Sequence, residues 1–250
     1  MKSAIRNLSL LHLVGNALVL WCAYYWLGVG ESSAGALTWS ALVALACVCA
    51  ALWLHGAALA QFRGSPAPLK AALRHLLPLI AVALAAAGIY ALLMWWQARS
   101  PDKAFKIASY ITLKLRKPLK PATVEHIFGV GFWIVRWAVV PVFLLPLAAA
   151  VAGQGWSGFG AGFWRMARRW LYWIETPALL VCALWAPRKL LAWTPTMHSF
   201  GMEMTSFVAR ALAAYLLLTA ALLALEFFTG RGSASAGNPA VSQPVTVASP

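Results

Sequence analysis

RSPDKAFKIASYITLKLRKPLKPATVE, residues 99–125, is the one long polar segment in this chain, and its reading decides the fold. It holds seven of the twenty Lys and Arg residues: Arg99, Lys103, Lys106, Lys114, Arg116, Lys117 and Lys120. The sequence on either side is almost entirely apolar. The chain therefore reads as two hydrophobic halves joined by a basic segment.

Composition fixes the solvent. Residues are 62% hydrophobic and 10% charged, with a mean hydropathy of +0.75. A soluble domain carries nearer a quarter charged residues. A chain of 250 residues buries a good core, but not this much apolar surface. Most of it must face lipid. The net charge of +14 points to anionic head groups rather than nucleic acid. The cations sit between apolar spans, and no nucleic-acid motif accompanies them. Cys22, Cys47, Cys49 and Cys182 all lie in apolar segments. Cys47 and Cys49 are two apart and face away from each other on a helix. All four read as small packing residues, with no disulfide and no redox compartment implied.

The expected fold is all-α: a polytopic integral membrane protein of about six transmembrane helices with a central amphipathic interfacial helix. The spans read as 8–27, 36–60, 73–96, 127–151, 170–186 and 204–228. They form one domain over 1–229, and 230–250 is a Gly/Ser/Ala/Pro tail with the composition of disorder. Lys2 and Arg6 before the first run allow a signal peptide. Its bilayer-matching length and its His12, Asn16, Tyr24 and Tyr25 favour a retained helix. Trp26, Trp39, Trp95, Trp96, Trp170 and Trp185 fall near span ends, where an amphipathic ring belongs. The second and fourth spans each lead through a turn and a short basic piece into a span with an early proline. A weak internal repeat and positive-inside chemistry explain that equally well.

At 100° per residue, Ala104, Ile107, Ala108, Ile111 and Leu115 share one arc. Lys103, Lys106, Lys114 and Lys117 share the opposite arc and are the expected lipid head-group contacts. Leu113 breaks the pattern, and residues 111–116 also alternate as a strand would. An isolated strand has no sheet to join, so a helix is expected, ended by Pro118 and Pro121.

Six spans put both termini on one side. Each side collects nine cations, so the count does not orient the chain. The first helix does: two cations precede it and none lies in the loop after it. Cytoplasmic termini are expected, in the cell membrane.

Charges inside spans are costly and are functional suspects. The candidate binding residues are Arg136, Glu175 and Arg210. The sharper reading makes Arg136 and Arg210 an anion or acidic-substrate site. Pairing of buried membrane charges predicts instead the ion pairs Arg136–Glu175 and Arg210–Glu203. Glu226 reads as interfacial. No histidine has the i, i+4 partner of a helical metal site, and no metal or cofactor is expected. His12 and Asn16 share a face, and an interhelical hydrogen bond is their expected work. His198, Ser199 and Glu203 lack the context of a hydrolytic set. The Gly-rich run 153–162 reads as an interfacial turn anchored by aromatic rings, with closure over a ligand as the alternative.

The expected function is that of a non-catalytic membrane component working with anionic membrane lipids or a membrane protein partner. Two alternatives remain. One is a small transporter with an intramembrane Arg/Glu site between inverted halves. The other is a lipid-modifying membrane enzyme, which needs a polar cluster at an interface.

Overall fold

The structure, a computed structural model, describes residues 2–30, 32–116, 118–160, 164–196 and 199–237. Among these the regular structure is entirely helical. Eleven α-helices follow one another: α1 Lys2–Leu27, α2 Ala34–Phe62, α3 Pro68–Arg74, α4 Leu76–Ala98, α5 Ser100–Leu115, α6 Pro121–Ile134, α7 Val140–Gln154, α8 Trp164–Ala167, α9 Tyr172–Leu180, α10 Ala186–Ala192 and α11 Phe200–Gly237. The chain is a membrane-embedded helical bundle. Five helical stretches are long and apolar enough to cross a bilayer: Asn7–Leu27, Ala34–Phe62, Leu76–Ala98, Pro121–Phe159 and Phe200–Gly232. The fifth expected span is present as an interrupted helix, α9 and α10 joined by a π turn at Val181–Trp185. Glu175, Arg188 and Lys189 keep it less apolar than the others. α11 continues to Gly237, past the expected span end at 228. The rest of the expected tail, with Lys117 and His198, lies outside the described residues.

α2, α7 and α11 pack against one another at the centre, with α1, α4 and α9 around them. The core is built of small residues. Ala57, Ala58 and Ala60 on α2 and Ala149, Ala150 and Ala152 on α7 are buried. Small side chains let helix backbones approach where lipid provides no hydrophobic drive between helices. Large apolar side chains point outward instead: Trp21, Tyr24, Leu84 and Phe200 are exposed. In water that surface would be an aggregation site; in a bilayer it is the solvated face.

Two prolines shape the long helices. Pro141 and Pro187 cannot donate a backbone hydrogen bond to the residue four earlier, and their rings crowd that carbonyl. Each lies two residues past a π turn, at Val135–Val139 and Val181–Trp185. There Val140 donates to the Val135 carbonyl and Ala186 to the Val181 carbonyl, five residues back. Widening one turn relieves the clash without ending the helix. Tyr90 of α4 donates its hydroxyl to the Arg136 carbonyl inside the first π turn, at 2.9 Å.

The basic segment is helical, as its periodicity predicts. α5 and α6 form a hairpin in which Ala104 and Ala108 pack on Val124, with Leu119 and Phe128 beside them. Thr112 closes the turn by accepting from the Leu119 amide at 3.0 Å. Part of the apolar arc expected to face lipid is thus used inside the protein. Ile107 and, on the other side, Phe105, Tyr110 and Leu113 remain exposed.

Candidate functional site

His12 on α1, His55 on α2 and Glu226 on α11 meet inside the bundle. His55 Nδ1 lies 2.5 Å from Glu226 Oε1, and His12 Nε2 lies 3.7 Å from Glu226 Oε2. The two imidazole rings stand edge to face, with centroids 5.4 Å apart. One donor atom from each of the three residues falls within 4.8 Å of the other two. His12 is fully buried and Glu226 is 6% exposed. The His55 side chain, 28% exposed, is the open edge of the cluster.

Two glycines bring the three helices close enough. A Cβ at Gly15, one turn after His12, would meet the Leu54 methyls at 2.9 Å. A Cβ at Gly230, one turn after Glu226, would lie 2.6 Å from Phe62 Cβ. α1 and α11 therefore both sit tightly against the same end of α2. Tyr215 of α11 ties the third contact by donating to the Leu13 carbonyl of α1. Asn16 does not cross to another helix as expected. Its Nδ2 donates to the His12 carbonyl at 3.0 Å, within α1.

Among the described residues, both ion pairs converge on Glu226. They leave both His12 ring nitrogens and Glu226 Oε2 buried without a hydrogen-bond partner. Buried polar atoms are almost always satisfied, so orphaned atoms facing each other from α1 and α11, beside His55 of α2, are a chemical feature rather than packing.

The structure does not bring Arg136, Glu175 and Arg210 together as one site. Arg136 donates from Nη2 to Gln97 Oε1 at 2.7 Å, not to Glu175. Arg210 donates to the carbonyls of Trp193, Leu191 and Ser206, not to Glu203. It thereby supplies positive charge at the C-terminal end of α10, where the helix dipole is negative. Arg63 and His75 meet carbonyls near the end of α7. Arg63 donates to the Ala149 carbonyl at 2.9 Å, and His75 donates from Nδ1 to the Ala152 carbonyl at 2.9 Å. Burial lowers the Arg63 pKa from its usual value.

Glu175 lies instead in the wall of a cavity of about 750 Å³ at the end of the bundle that holds the α11 C-terminal turns. Arg168, Arg169 and Arg231 line it together with Trp170, Tyr172 and Phe227. The Arg231 guanidinium stacks 4.5 Å above the Phe227 ring. Tyr172 and Thr229 share a hydroxyl hydrogen bond of 3.1 Å beneath the cavity. Lys103, Lys106 and Lys114 are exposed at the other end of the chain's path through the membrane. There Lys103 lies 5.4 Å from the Trp96 ring centroid and Lys114 5.7 Å from that of Tyr110.

The His12–His55–Glu226 cluster escaped the sequence because its members are 43 and 171 residues apart. Glu226, read as interfacial, is turned into the bundle. The spans expected from the sequence put Glu226 about 3 Å from the membrane face, whereas the structure's apolar stretches Asn7–Leu27, Ala34–Phe62 and Phe200–Gly232 put His12, His55 and Glu226 about 8, 10 and 9 Å from one face at 1.5 Å per residue. Equal depth from the same side is the mark of a shared layer. No protein-family model matches the chain, no curated protein is significantly similar to it, and no solved structure resembles it significantly.

Proposed function

We propose that this protein is a cell-membrane component that binds anionic phospholipid at its basic aromatic end, with both termini cytoplasmic. The observation that carries this reading is the cavity lined by Arg168, Arg169 and Arg231 beside Trp170, Phe227 and Phe228. Guanidinium groups match phosphate oxygens bidentately and are less strongly hydrated than ammonium groups. Aromatic rings hold the head-group level of the bilayer, so acyl chains run down the apolar sides of α9 and α11. The volume of about 750 Å³ suits a phosphate-bearing head group rather than a single ion. The exposed lysines of α5 add a second, weaker contact with lipid at the opposite face, each contributing about 1 kcal/mol near an anionic surface.

Lipid analysis of the protein purified in mild detergent tests this. Anionic phospholipid should be enriched over the host membrane, and Arg168→Gln/Arg169→Gln/Arg231→Gln should lose that enrichment while remaining monodisperse. Equal lipid profiles for the two proteins would contradict the reading.

A further inference from the structure

We propose that His12, His55 and Glu226 bind a divalent first-row transition-metal ion within the membrane. The inference rests on different residues from those of the lipid cavity and stands or falls separately.

The donor set selects the ion class. Two imidazole nitrogens and one carboxylate oxygen suit Zn²⁺, Fe²⁺, Co²⁺ or Ni²⁺. Ca²⁺ and Mg²⁺ take oxygen shells, and Cu⁺ takes sulfur. Geometry fits with small adjustment. Ligands about 2.1 Å from a tetrahedral ion stand about 3.4 Å apart. His55 Nδ1 stands 2.5 Å from Glu226 Oε1 and His12 Nε2 3.7 Å from Oε2, on either side of that value, and one donor atom from each residue falls within 4.8 Å of the other two. A turn of the Glu226 carboxylate and shifts of under about 1 Å per donor complete the site, given those bond lengths.

An ion also resolves what protons leave unresolved. At 3.7 Å, His12 Nε2 and Glu226 Oε2 are too far apart to share a hydrogen bond, and both are buried and unpartnered. One cation between them satisfies both atoms and offsets the charge of a carboxylate 6% exposed inside a membrane helix. The helices are fixed at this layer by the close contacts at Gly15 and Gly230, so the donors are held before the ion arrives. Three protein ligands are one short of a closed structural tetrahedron. The remaining position faces the His55 edge, the side of the cluster that is partly open, and is left for water or an incoming ligand.

The test uses the full chain in detergent or nanodiscs, stripped with chelator and titrated with Co²⁺ and Zn²⁺. The wild type should take up one equivalent, give the visible d–d bands of low-coordinate Co²⁺, and lose them when Zn²⁺ competes. His12→Gln, His55→Gln and Glu226→Gln should each weaken binding 10-fold or more, whereas His126→Ala should bind as the wild type does. A thermal shift on Zn²⁺ addition, seen in the wild type and absent from Glu226→Gln, guards against loss of fold in the variants. A wild type that takes up no metal overturns the proposal without any variant being needed. So does undiminished binding by His12→Gln, or loss of binding in His126→Ala alone.

Discussion

Gly230 of α11 lies against Phe62 of α2 so closely that a Cβ at Gly230 would stand 2.6 Å from Phe62 Cβ and 3.3 Å from the Leu59 carbonyl oxygen. Both neighbours belong to or adjoin backbone and cannot swing aside. Gly15 makes the matching contact on the other side of α2, but it meets the flexible end of Leu54. Gly230→Val should therefore destabilise the protein by about 1–3 kcal/mol through overpacking. Gly15→Ala should be close to neutral, because Leu54 yields and alanine favours the helix by up to about 1 kcal/mol. Thermal unfolding in detergent compares them; a larger loss for Gly15→Ala would reverse the assignment.

Arg136 is partnered by Gln97 rather than by Glu175. In double-mutant cycles Arg136→Ala and Glu175→Ala should add, within about 0.5 kcal/mol. Arg136→Ala and Gln97→Ala should couple by about 1 kcal/mol or more, since a charged group is in the bond. Coupling between Arg136 and Glu175 would show that the pairing expected from the sequence is the real one.

Tyr90→Phe removes the donor that meets the Arg136 carbonyl in the first π turn. A loss of about 1–3 kcal/mol is expected, the usual cost of an orphaned buried acceptor. With Pro141→Ala in the background, the Trp137 carbonyl regains a backbone donor and the widened turn has less cause to persist. Tyr90→Phe should then cost less. An unchanged cost would mean that the proline does not hold the π turn open.

The two arcs of α5 now carry separable predictions. Ala108 is fully buried against α6, so Ala108→Phe should unfold the α5–α6 hairpin and expose it to protease. Ile107 is 40% exposed, so Ile107→Asp should leave the hairpin folded and weaken its attachment to anionic vesicles. Equal effects of both changes on folding would place Ile107 in the packed face as well.

Much of this architecture was legible in residues 99–125 and in the runs around them. Apolar length located the spans, and the 3.6-residue period of 103–117 gave a helix where a strand was the rival. What the period could not show was the partner. Ala104 and Ala108 look alike whether they face lipid or α6, because alanine fits both. The intramembrane charges were misread for a related reason. Charge pairing is the general rule, but Arg136 and Arg210 found amide and carbonyl oxygens nearer to hand. The π turns before Pro141 and Pro187 have no counterpart in that reading, because a proline can equally kink or end a helix. The histidine–glutamate cluster needs the order of helices around α2, which no local pattern carries.

The anionic-lipid site is tested most directly by native mass spectrometry of the full chain released from nanodiscs of defined composition. With mixed phosphatidylglycerol and phosphatidylcholine, the account predicts at least one retained phosphatidylglycerol per chain. That adduct should be lost in Arg168→Gln/Arg169→Gln/Arg231→Gln and kept in Lys103→Gln/Lys106→Gln/Lys114→Gln. Equal retention of the zwitterionic lipid, or an adduct that survives removal of the three arginines, would contradict it.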